Sequence, residues 1–258
     1  MWFDEIMDDC KNAMRISANN KGIFIPIFVN LGFSIILILC AFVSFLRELI
    51  EIFSNDMSDA SKTTFFMQHL PRIIITLVLL SILFMIKNAI IEVGTLNLIK
   101  VASNGGRITI NDFMNGISKY FFKVLGGTVF LALITIVLSP IIIVLFILYA
   151  ALVGTLTAGW GLIFLSAVIL LLFKPWTTIV VVDDISPIKA IGISLKLGKR
   201  YFKGLFVIML SFLLLSSYAA AAFGPLAAVL AGWFLSGIVL IYFKVIILMI
   251  YTNNLSRS

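Results

Sequence analysis

Three lysines stand inside long apolar runs, in the contexts LFMIKNAII, LLLFKPWTT and LIYFKVIIL. These are Lys87, Lys174 and Lys244. Each lies six to eight residues before the end of its run, a depth of about 9–12 Å at the helical rise. A charge at such depth costs about 2.5–3.5 kcal/mol on insertion scales, so it faces protein, water or a counter-ion. Three ammonium groups at one depth would gather a phosphate or carboxylate. The competing reading is that each side chain reaches separately to the headgroups along its own apolar stem. Only one carboxylate, Glu92, falls within the runs, five residues beyond Lys87. Five residues turn a helix by about 140°, so Glu92 suits a lysine of another element better than its neighbour. Lys87, Lys174, Lys244 and Glu92 are therefore the candidate anion or lipid site.

No catalytic constellation accompanies them. The chain has no Walker phosphate loop, GxSxG, HExxH or CxxC motif. Its only histidine, His69, and its two cysteines, Cys10 and Cys40, stand far apart and make neither a metal-ligand set nor a disulfide. The expectation is a non-enzymatic protein with no catalytic residues, no metal and no cofactor.

The elements that position the lysines follow from composition. The 258 residues are 62% hydrophobic and 12% charged, against about 25% charged in a soluble domain. Six apolar runs reach the ~20 residues a bilayer crossing needs: Ile23–Leu46, Pro71–Val93, Val124–Tyr149, Leu152–Val182, Leu205–Phe223 and Leu226–Tyr251. The third and fourth almost merge around Ala150–Gly154. The first 21 residues lack a secretory pattern, so insertion would use the first run itself.

Charge orients the spans. Thirteen of the 19 basic residues fall in segments that share one side of a six-span layout, and Arg47, Lys62 and Arg72 fall on the other. The positive-inside rule then places both termini in the cytoplasm. The opposite face has one substantial loop, Arg47–Leu70, carrying four carboxylates. The net charge of +7 sits beside the spans, where anionic headgroups attract it. The expected partners are anionic membrane lipids, with a membrane-protein partner or a second copy as the other readings, and not nucleic acid.

A phrase recurs: KYFFK at 119–123 and KRYFK at 199–203, each after a polar–apolar stretch and before an apolar run. Lys21 followed by GIF aligns with Lys203 followed by GLF. The chain reads as one all-α transmembrane domain over 1–258. It is built as three units, near 1–100, 101–185 and 186–258. Each unit would be an amphipathic interfacial helix followed by a helical hairpin. In the third, Ser186 suits an N-cap and Pro187 position N1. Lys189, Lys196, Arg200 and Lys203 share one face, opposite Ile188, Ile191, Leu195, Tyr201 and Phe202. Lys119, Tyr120 and Lys123, with those basic residues and Tyr201, are the expected interfacial anchors. Gly224, Ala228, Gly232 and Ser236 recur every four residues in the last run, a stripe that permits close helix packing.

The segment IVVVDDISPIKAIGISLKLGKRYFKGL resembles the membrane domain joined to some glycerophosphoryl diester phosphodiesterases, and the related free-standing six-span bacterial proteins. The resemblance rests on Asp183 and Asp184, on Pro187, Ala190 and Ser194 in a Pro-x-x-Ala-x-x-x-Ser pattern, and on the turn Arg200–Lys203. It implies a bacterial inner-membrane protein tied to phospholipid metabolism or envelope maintenance. The hydrolase barrel of the fused proteins has no counterpart here. The leading expectation is a protein that binds anionic lipids or headgroup-like solutes in its cytoplasmic half. A permease subunit for a small anionic or amphiphilic solute is one alternative, and an accessory or immunity-type subunit of another membrane protein is the other.

Overall fold

The computed structural model describes residues 2–54, 59–154, 161, 168–169, 172–222 and 225–255. Side chains are described for 7–45, 67–154, 172–204 and 237–253 and at a few isolated positions. The described residues are helical, with short connections. Helix α1 covers Trp2–Asn19, and a 3-10 turn, Lys21–Phe24, leads into α2, Ile25–Ser54. Then come α3, Asp59–Ser103, and α4, Ile110–Val153. The short α5, Trp176–Asp183, precedes α6, Pro187–Ala222, and α7, Pro225–Leu255.

Local chemistry sets several boundaries. Thr109 and Asp112 open α4 with a reciprocal cap: the Thr109 N–H donates to Asp112 Oδ2 at 2.8 Å, and Thr109 Oγ1 accepts from the Asp112 N–H. Gly154 closes α4 with φ 86°, and its N–H reaches the Ala150 carbonyl at 2.9 Å. A side chain would strain that backbone, so the merged third and fourth runs separate there. Helix α6 begins at Pro187, with the Ala190 N–H on the Ser186 carbonyl at 3.0 Å.

Two expectations change. The amphipathic stretches of the second and third units are not separate helices; each is continuous with the run that follows, in α4 and α6. Nothing between them breaks a helix, whereas the first unit has its 3-10 turn. The Arg47–Leu70 loop also shrinks, because α2 runs to Ser54 and α3 starts at Asp59. Arg47, Glu48, Glu51 and Lys62 are good helix formers, and α3 tolerates Pro71 in its interior.

The core gathers at one end of the molecule. Ala89, Val93, Leu96 and Ile99 form a buried stripe on α3 at helical spacing. They pack with Ile179–Val181 of α5, with Ile241 and Val245–Leu248 of α7, and with Ala13 and Ile23 from the N-terminal segment. Glycines let α3 and α4 approach closely. A Cβ on Gly116 would meet Asn97 Cβ at 2.6 Å and the Val93 carbonyl at 2.9 Å.

Away from this core the described parts of α2, α3 and α4 are apolar and exposed. Val137 of α4 is 73% exposed, and none of the most apolar stretch of that helix is buried. Among the described residues, Lys21–Phe45, Met67–Ser103 and Ile110–Val153 are long and apolar enough to cross a membrane. Such contiguous exposed apolar surface requires lipid or protein around it.

Candidate anion site

The three lysines divide between two sites. At the first, Glu92 of α3 holds two of the three lysines. Lys244 of α7 places its Nζ 2.7 Å from Glu92 Oε2, and Lys174 places its Nζ 3.7 Å from Oε1. Thr177 Oγ1 donates to Glu92 Oε1 at 2.9 Å. Residues of all three expected units thus meet at one carboxylate. Thr177 is the second residue of α5, so the carboxylate also sits where a helix N-terminus favours negative charge.

Pro175 creates this arrangement. It interrupts the helix, with Lys174 and Pro175 in a turn and α5 starting afresh at Trp176. The carbonyls of Leu172 and Phe173 at the break accept from Ser194 Oγ at 2.9 and 3.2 Å. Helix α6 reaches them because its facing residues are small: Ala190 and Ser194 are fully buried. A Cβ on Gly198 would stand 2.9 Å from Leu172 Cα.

The second site belongs to Lys87. Its side chain is buried at 7% exposure, and its Nζ donates to Ser34 Oγ of α2 at 3.1 Å. The Phe84 ring centroid lies 4.7 Å from the ammonium, within cation–π reach. No carboxylate pairs with Lys87 among the described residues. Lys87 does not join Glu92, because five residues carry it to another side of α3. It lies at one end of a cavity of about 530 Å³ between α2 and α3, lined otherwise by apolar side chains, Ser34 and Ser81.

The expected anchors divide. Lys123 Nζ lies 2.6 Å from Asp184 Oδ1, and Lys119 Nζ 3.2 Å from Oδ2. Both lysines thus clasp α4 to the turn between α5 and α6. Hydrogen bonds from Lys123 and then Lys119 hold the Asp184 carboxyl below its ordinary range. Tyr120 is 2% exposed and lies in the core, not at a headgroup surface, because its face of α4 packs inward with Phe113 and Val124. Lys189, Lys196, Arg200 and Lys203 are exposed, and Tyr201 is half-buried against the core. The face opposite the basic stripe buries Ala190, Ser194 and Leu197, while Ile188 is 68% exposed. Of the small-residue stripe, Gly224 and the side chains of Ala228, Gly232 and Ser236 lie outside the described residues.

Sequence reading passed over Ser34, Thr177 and Lys100. Lys100 Nζ caps α5 by donating to the Val181 and Val182 carbonyls at 2.8 and 3.0 Å. Asp183 accepts from the Tyr251 hydroxyl, and Asp9 accepts from Asn253 Nδ2 at 2.7 Å, tying the end of α7 to the rest. A lone serine or threonine in an apolar run carries no signal of its partner. The adjacent Asp183 and Asp184 thus make two separate clasps, one to α7 and one to α4. Comparison of the chain with protein-family models, curated proteins and solved structures finds no match.

Proposed function

We propose that this is a non-enzymatic, multi-pass protein of the bacterial inner membrane that binds anionic lipids or headgroup-like solutes in its cytoplasmic half. On this reading it has six spans in three helix–hairpin units, with both termini in the cytoplasm. The single observation that carries the binding role is the imbalance of buried charge. Lys87, Lys174 and Lys244 bring three ammonium groups to the runs, and Glu92 is the one carboxylate there. Glu92 serves two of them, and Lys87 is left with a hydroxyl and a ring. In a low-dielectric setting an uncompensated cation draws an anion. The exposed basic face of α6 favours the same lipids at the headgroup level. The resemblance of the segment around Asp183–Lys203 to phospholipid-linked membrane domains points the same way.

Native mass spectrometry of the detergent-purified protein tests this. Wild type is expected to retain anionic phospholipid in preference to a zwitterionic lipid of the same chains, and Lys87→Met to lose that preference. Equal retention of both lipids by wild type would sink the reading.

A further inference from the structure

Resting on that reading, we propose that the α2–α3 groove is a phospholipid site. One acyl chain lies in the groove, and the anionic phosphate meets Lys87 and Ser34. The groove is walled by Leu37, Ile38 and Ala41 of α2 and by Leu77, Leu80 and Phe84 of α3. Leu77 and Lys87 are ten residues apart, so the trough extends about 15 Å along α3. Ser81 Oγ is spent on the Leu77 carbonyl at 2.8 Å and offers no competing head site. At the Lys87 end, Ser34 Oγ accepts from Lys87, which leaves its own proton for a ligand oxygen. The result is a polar end with two donors and a long apolar remainder, the layout of an amphiphile.

The charge pattern selects the occupant. A small anion would satisfy Lys87 but leave the trough unfilled. A second copy of this chain would fill the trough but could not neutralise Lys87, because its runs carry only Glu92, already engaged. A phospholipid supplies both the anion and the chain. Its supply needs no entry path, since Ile38, Leu77 and Phe84 are exposed where lipid would lie.

The test uses full-length protein and phosphatidylglycerol carrying a photoactivatable diazirine in one acyl chain. Adducts on wild type are expected to concentrate on the groove residues. Lys87→Met is expected to lower retention of phosphatidylglycerol by about tenfold or more, the worth of a charge-assisted hydrogen bond. Ala41→Trp, which fills the trough, is expected to lower it comparably while leaving the helical circular dichroism unchanged. Adducts spread evenly over α4 and the groove would overturn the inference, as would undiminished retention by a folded Ala41→Trp protein. In either case a loss with Lys87→Met would leave the broader lipid-binding reading standing. Undiminished retention by Lys87→Met would overturn both. The adduct map needs no variant, so it decides the matter even where a substitution fails to fold.

Discussion

Glu92 and Lys244 are both close to buried, at 14% and 8% side-chain exposure, and lie 2.7 Å apart. Removing one partner of such a pair strands the other charge, which costs about 3–5 kcal/mol. Glu92→Gln should therefore destabilise the protein by about that much in detergent-based unfolding followed by fluorescence. The double change Glu92→Leu with Lys244→Met should recover a large part of the loss, since apolar replacement of a buried pair is often neutral. Lys174→Met should cost about 1 kcal/mol or less, because Lys174 is 33% exposed and its contact is 3.7 Å. Equal losses for Lys174→Met and Glu92→Gln would show that the carboxylate does not discriminate between its two lysines.

Between elements, close approach decides stability. Gly116→Ala would press a methyl against the Val93 carbonyl at 2.9 Å and Asn97 Cβ at 2.6 Å where α3 and α4 touch. Overpacking of this kind costs about 1–3 kcal/mol. Gly126→Ala on the same helix meets nothing within 4 Å and should be neutral or stabilising, so the pair of variants isolates the contact from helix propensity. Ser194→Ala should cost about 1–3 kcal/mol, since it orphans the carbonyls that Pro175 freed at Leu172 and Phe173. The Asp184 clasp adds a pH dependence. Lys123 and Lys119 depress the folded-state pKa of Asp184, while the unfolded chain takes up that proton near pH ~4. Protonation thus favours unfolding. The stabilisation is complete above that range and is lost as pH falls below it. Unfolding midpoints measured from pH 7 downward should fall less steeply for Asp184→Asn than for wild type; parallel curves would show that the clasp contributes nothing.

For the whole molecule, the notable quantity is apolar length. The 44 residues of α4 would extend about 66 Å if straight, twice the ~30 Å hydrocarbon core. Only part of such a helix can be spanning. The remainder packs Phe113, Tyr120 and Val124 into the core at the end of the molecule that also holds Lys100 and Asp184. If that end is cytoplasmic, a cysteine placed at Ser258 in a Cys10→Ser, Cys40→Ser background should be labelled by a membrane-impermeant maleimide only in inside-out vesicles. One placed at Asn55 should be labelled only from the opposite face. Labelling of both from the same face would overturn the six-span, cytoplasmic-termini layout.

The sequence by itself determined that the chain is helical, apolar and studded with rare charges inside its apolar runs. Helical length is written in run length, and a lysine among leucines is conspicuous wherever it folds. The Pro175 break is local chemistry of the same kind, because proline removes its own backbone donor. The pairing was decided only by tertiary structure. Whether Lys87 or Lys244 meets Glu92 depends on which face of α3 touches α5 and α7, and that is set by how the buried stripe Ala89, Val93, Leu96 and Ile99 packs against them. Tyr120 reads as a surface aromatic in KYFFK, yet it is core, because α4 turns that face toward α3. Side-chain partners far apart in the chain, such as Lys87 with Ser34 and Lys100 with Val181, follow from helix packing, which local periodicity does not encode.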